Sequence, residues 1–198
     1  MTNSDSNHNI ERGKGAVSRY KKIAVFVSGN GSNLQNLLDS DIAENIAIVC
    51  SNKPDCFAMQ RAKNAGIKTY VVDENILDIL EQEDIYLIVL AGYLKIISDD
   101  LIAKYPERII NVHPSLIPDF CGMGWHGLKI HQAAIKSGKG ITGATVHIVD
   151  GVVDGGKILA QKAIEIKDND TPETLQKRVL EEAEFIILPE EIKKLIGE

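Results

Sequence analysis

The chain has 198 residues, enough for one domain with a sizeable core. It is 44% hydrophobic and 25% charged, an ordinary globular composition, and its net charge of −6 argues against broad binding to nucleic acid or an anionic membrane. Cys50, Cys56 and Cys121 form neither a CxxC nor a ligand quartet, which points to a reducing, cytoplasmic setting, and no apolar run reaches the ~20 residues of a membrane span.

Met1 to about Ser18 is polar, has no apolar stretch, and reads as a flexible tail outside the fold. Lys22–Val27 is a continuous apolar strand, and the loop Ser28–Asn33 leads from it into a helix that starts near Leu34. A second strand, 46–50, is followed by a helix over 57–64 that Ala65-Gly66 stops. Further strands are expected at 69–72 and 85–90, and a helix over 99–104 leads into the short strand Arg108–His113. Strands that are apolar on both faces and alternate with helices predict an α/β fold: a mostly parallel, Rossmann-like twisted sheet with helices on both sides. Beyond Pro114 the pattern changes. A glycine-rich loop, 118–127, precedes a helix over 128–137, and strands at 142–149 and 157–166 pair as an antiparallel hairpin. Thr171 and Pro172 occupy the N-cap and first-turn positions of a last helix, which Pro189 is expected to break or kink.

Asn111 and His113 stand two apart on a strand and so point to the same face, an amide donor beside an imidazole. Pro114 holds His113 extended and ends the strand. Such a pair suits attack on a carbonyl, and it equally suits the capping of a strand end. In Ser28–Asn33 the glycines allow a tight turn, and the helix start with Ser32 and Asn33 offers donors to a phosphate. The loop is neither GxGxxG nor a Walker A motif, and a strand-to-helix turn alone also needs glycine. Asp154, in Val153–Gly156, would favour the imidazolium and raise the histidine pKa if it faces His113; the same residues read as a hairpin turn. His126, His131 and His147 have no paired metal-ligand spacing and read as solvent-facing or core-satisfied, so no metal is expected. Glu181, Glu182 and Glu184 lie on the last helix, mostly on a solvated face.

Taken together, Val27–Leu34, Leu90–Tyr93, Asn111–Pro118, Gly143–His147 and Val153–Gly156 resemble the phosphoribosylglycinamide formyltransferase family, the folate-dependent formyl transferases of purine synthesis. The resemblance runs from about Lys22 to the C-terminus. It implies one formyltransferase domain over 21–198, with a phosphate-binding half to about 110 and a folate and catalytic half after it. It implies that Gly31, Ser32 and Asn33 bind the ribose phosphate and that Glu184 contacts the ribonucleotide. Leu94, Lys95, Ile96 and Ile97, with Asn111 and the loop Asp150, Gly151, Val152 and Val153, match the folate pocket, and Asn111, His113 and Asp154 match the catalytic trio.

The implied reaction moves a formyl group from 10-formyltetrahydrofolate to the amine of glycinamide ribonucleotide, without a metal, in a monomer or homodimer whose partners are small molecules. Three departures from the family pattern stand out. Ala183-Glu184-Phe185 replaces the usual Glu-His pair, the segment between Val72 and Asp84 lacks a folate-contacting arginine, and the Phe120–Gly127 loop is longer than the compact form. The rivals are a formyltetrahydrofolate hydrolase, for which the tail is too short to be the extra domain, a methionyl-tRNA formyltransferase, whose extra C-terminal domain is not expected here, and a non-catalytic nucleotide-binding module.

Overall fold

The structure, a computed structural model, describes residues 21–197; the tail expected over 1–20 lies outside them. Seven strands form one sheet: β1 (Lys22–Val27), β2 (Ile46–Ser51), β3 (Lys68–Val71), β4 (Ile85–Leu90), β5 (Ile109–His113), β6 (Ile141–Ile148) and β7 (Ile158–Glu165). Their order is β3-β2-β1-β4-β5-β6-β7. The first five pair in parallel, and β6 pairs antiparallel with both β5 and β7. The expected α/β fold and C-terminal hairpin are therefore present. The antiparallel β5–β6 pairing, made across a long connection, is additional to what the chain pattern predicts.

The helices are α1 (Ser32–Leu38), α2 (Phe57–Asn64), α3 (Ile76–Gln82), α4 (Asp99–Lys104), α5 (Leu128–Ser137), α6 (Pro172–Val179) and α7 (Phe185–Ile196). They cover both faces of the sheet. Along β1, Ile23, Val25 and Val27 enter one core with α1, α2, α5, α6 and α7, whereas Ala24 and Phe26 enter the other with α3 and α4. That two-residue period, apolar on both sides, is why the strand reads as an unbroken apolar run. Helix α3 is additional to the elements expected from sequence, and it buries Ile76 and Leu80, one turn apart.

Two details of the last helix matter below. Thr171 caps α6 as expected, its hydroxyl accepting the Thr174 N–H at 3.2 Å. Pro189 does not end the helix: α7 runs through it to Ile196, preceded by a π turn at Leu180–Glu184. Proline has no N–H for the carbonyl four residues back. Here that carbonyl belongs to Phe185, and Asn36 Nδ2 of α1 donates to it at 3.0 Å. A neighbouring helix thus satisfies the group that would otherwise favour a break.

Because β1 lies between β2 and β4, the chain switches direction across the sheet there, and a crevice opens at the carboxyl ends of the strands. The loops after β1, β4 and β5 all end at that edge.

Candidate active site

A cavity of about 770 Å³ occupies this crevice. Its wall includes every residue singled out by sequence: Gly31, Ser32 and Asn33 after β1, Leu94–Ile97 after β4, Asn111 and His113 on β5, Asp150–Asp154 between β6 and β7, and Glu184 from the π turn. None of them falls elsewhere.

The loop after β1 is shaped by close contacts. Gly31 has φ +72°, and a Cβ there would lie 2.6 Å from the Ala58 Cβ of α2, so only glycine lets α2 pack this tightly. Arg61 Nε donates to the Asn30 carbonyl at 2.9 Å, and Ala58 N–H donates to Gly29 O at 3.0 Å. Ser28 Oγ joins two strand ends: it donates to Asn52 Oδ1 and accepts the Leu94 N–H at 2.9 Å. Asn33 Nδ2 donates to Glu184 Oε2 at 2.7 Å, leaving its second N–H, while Oδ1 is buried with no partner. A buried acceptor left unpaired costs about 1–3 kcal/mol. Burial pushes the Glu184 carboxyl up to about 7, against the pull of the Asn33 hydrogen bond.

At the other end, strand register makes the chemistry. Asn111 pairs with His147 across β5–β6, and Asn111 Nδ2 lies 3.1 Å from His147 Nε2. His147 Nδ1 lies 2.8 Å from the Ile148 carbonyl. That carbonyl can only accept, so Nδ1 carries the hydrogen and Nε2 accepts from Asn111 when the ring is neutral. His113, two residues on, places Nε2 2.9 Å from the Phe120 carbonyl and Nδ1 3.5 Å from Asp154 Oδ2. The other oxygen of Asp154 lies 3.6 Å from His147 Nε2. The carboxylate thus sits between two imidazoles, and it accepts the Gly122 N–H at 2.9 Å. Asp154 and Phe120 hold φ of +55° and +49°, a region that L residues seldom occupy. Two of the four described non-glycine residues at positive φ thus flank the His113 ring.

Asp154 raises the His113 pKa as expected, but burial opposes it. The His113 pKa lies below its ordinary value: burial disfavours the cation by more than Asp154 favours it. Burial also opposes ionisation of Asp154, yet His147, His113 and the Gly122 N–H together keep its carboxyl below the usual range. Both ring nitrogens of His113 face acceptors, the Phe120 carbonyl and the Asp154 carboxylate, so its contacts favour the cation while burial opposes it.

Two residues read as bland by sequence belong here. His147 is buried at the centre of the group, and His131 of α5 is buried on the cavity wall with both ring nitrogens unpartnered, burial and then His113 lowering its pKa to about 4. His126 is exposed at the rim. The cross-strand position of His147 opposite Asn111 was the available signal, hidden by the unanticipated β5–β6 pairing. Among the described residues, no three His, Cys, Asp or Glu side chains gather as metal ligands.

The family model described as formyl transferase matches residues 21–192. The chain belongs to the formyl transferase family. It is 39% identical over 180 residues to the phosphoribosylglycinamide formyltransferase, chloroplastic, of Arabidopsis thaliana, covering 83% of this chain and 62% of that one. The enzyme named phosphoribosylglycinamide formyltransferase in Bacillus subtilis is 38% identical over 192 residues, covering 89% and 95%. Among solved structures, the phosphoribosylglycinamide formyltransferase of Anaplasma phagocytophilum superposes with a TM-score of 0.82 at 33% identity, covering 90% and 87%. This family member spans 62% and 57% of the length of its two plant relatives, from Arabidopsis thaliana and Vigna unguiculata.

Proposed function

We propose that this chain transfers the formyl group of 10-formyltetrahydrofolate to the amine of 5-phosphoribosylglycinamide, a step of purine biosynthesis. The observation that carries the reading is the meeting of Asn111, His113, His147 and Asp154 in one cavity, between the loop after β1 and an apolar rim. Relatives that share most of the fold carry the corresponding name.

The folate fits the rim. Leu94, Ile96, Val152 and Val153 are large apolar side chains left exposed, and they line the cavity. Such surface suits a flat heteroaromatic ring, and the cavity volume suits a ligand of this size. When bound, the folate supplies an activated formyl carbonyl. Gly31, Ser32 and Asn33 take the ribose phosphate through backbone and side-chain donors, and Glu184 contacts the ribonucleotide.

Asn111 supplies an N–H to the formyl oxygen as it gains negative charge, held in position by His147. One donor of this kind is worth ~10²–10³ in rate. In its neutral form His113 accepts the proton from the attacking amine, and Asp154 stabilises the imidazolium that results. His113 then returns the proton to the departing nitrogen. Its Nε2 is engaged by the Phe120 carbonyl in the structure, so this step requires that contact to be released. The cytoplasm is the proposed compartment, three free thiols suiting a reducing one.

The test is direct. The protein is mixed with 10-formyltetrahydrofolate, with and without the ribonucleotide, and deformylated folate is followed. Ribonucleotide-dependent turnover supports transfer; turnover that ignores the ribonucleotide would identify a hydrolase instead.

A further inference from the structure

Asn36 makes no part of the cavity wall, yet it is tied to it. Its Nδ2 donates to the Phe185 carbonyl, the group that Pro189 leaves without an intrahelical donor. Three residues earlier on α1, Asn33 Nδ2 donates to Glu184 Oε2. Residues three apart on a helix share a face, so two amides of α1 grip two consecutive residues of the last helix. The grip falls at the end of the π turn, where the Phe185 N–H reaches back to the Leu180 carbonyl. A π turn is a weaker arrangement than the α-helix and is found mostly where its displaced groups are used. The displaced group here is Glu184, buried against the cavity beside Ser32 and Asn33.

We propose that Asn36 is a positioning residue for the ribonucleotide: it latches the π turn to α1, so that Glu184 and the loop after β1 hold sugar and phosphate as one rigid unit. The inference rests on the proposed transfer to a ribose phosphate. It adds a residue outside the pocket that sets ribonucleotide affinity and leaves the folate side untouched.

Two variants of the full chain test it. Asn36→Leu removes the donor at similar size. Asn36→Leu/Pro189→Ala also removes the latch but gives the Phe185 carbonyl an N–H from its own helix. In steady-state kinetics, both variants should raise KM for 5-phosphoribosylglycinamide about three- to tenfold, the span of one lost hydrogen bond. kcat and KM for 10-formyltetrahydrofolate should stay near the parent values. Thermal stability should fall in the single variant and recover in the double one. A purely structural Asn36 would instead let KM recover together with stability, and that result, or an unchanged KM in the single variant, overturns the proposal. If Asn36→Leu alone does not fold, the double variant decides by its KM. Failure of the underlying reading is seen separately, as a parent protein whose turnover ignores the ribonucleotide.

Discussion

Side-chain roles divide between charge stabilisation and proton movement. Asn111→Ala removes the amide donor and should lower kcat ~10²–10³-fold, with KM for the ribonucleotide little changed, because the Asn111 amide is held by His147 rather than by Ser32, Asn33 or Glu184. His113→Ala should lower kcat ~10²–10⁴-fold. Steady-state rates of folate deformylation check both, and near-parental turnover in either would remove that residue from the chemistry. Asp154→Asn probes the electrostatics. Burial holds the His113 pKa below 6.5 and Asp154 pulls it upward, so loss of the negative charge should lower it further. Followed by NMR, the His113 titration should move to lower pH in the variant, and the acidic limb of kcat/KM should move with it. An upward or absent shift would break the His113–Asp154 link.

Local geometry carries its own prediction at the level of the elements. The turn that presents Asp154 ends at Gly156, where a Cβ would lie 1.9 Å from the Ile148 carbonyl. Backbone cannot yield as a flexible side chain does, so Gly156→Ala must shift the β6–β7 connection. It should cost about 1–3 kcal/mol in stability and also reduce kcat, because Asp154 moves with the turn. Denaturant unfolding and kinetics on the same preparation would check this; unchanged kcat in a destabilised protein would separate the turn from the chemistry. The elements also explain where sequence reading stopped. Strands β1, β4 and β5 were legible because they are buried on both faces. Helix α3 was not: at seven residues it is barely two turns, too short for its apolar pattern to be told from a buried strand. Pro189 looked like a stop because the donor that compensates it, Asn36, is 153 residues away.

Across the whole molecule, two buried groups give stability opposite dependences on pH. Glu184 is raised from 4.5 to about 7 on folding, so its contribution is fully present below pH 4.5 and lost as pH rises through 7. His131 is lowered from 6.5 to about 4, so its contribution is present above 6.5 and lost as pH falls toward 4. Glu184→Gln keeps a carbonyl for Asn33 and has no proton to lose, while His131 acts alike in both proteins. The unfolding free energy of the variant relative to the parent should therefore climb from pH 4.5 to 7, by on the order of 3 kcal/mol, then level off. Chemical denaturation across that range measures it, and a flat difference would mean that Glu184 ionises normally.

The sequence by itself determined the α/β architecture, since apolar periodicity and turn chemistry are local. It also determined which residues to watch, since Asn111-x-His113-Pro114, the loop Ser28–Asn33 and the Asp154 turn each end an element at one edge of the sheet. The tertiary structure alone decided that His147 completes the group, because that depends on register between strands far apart in the chain. It also decided that burial opposes the charge on His113 and that Glu184 turns inward. Burial is a sum over everything packed around a group, and no stretch of neighbouring residues contains that sum.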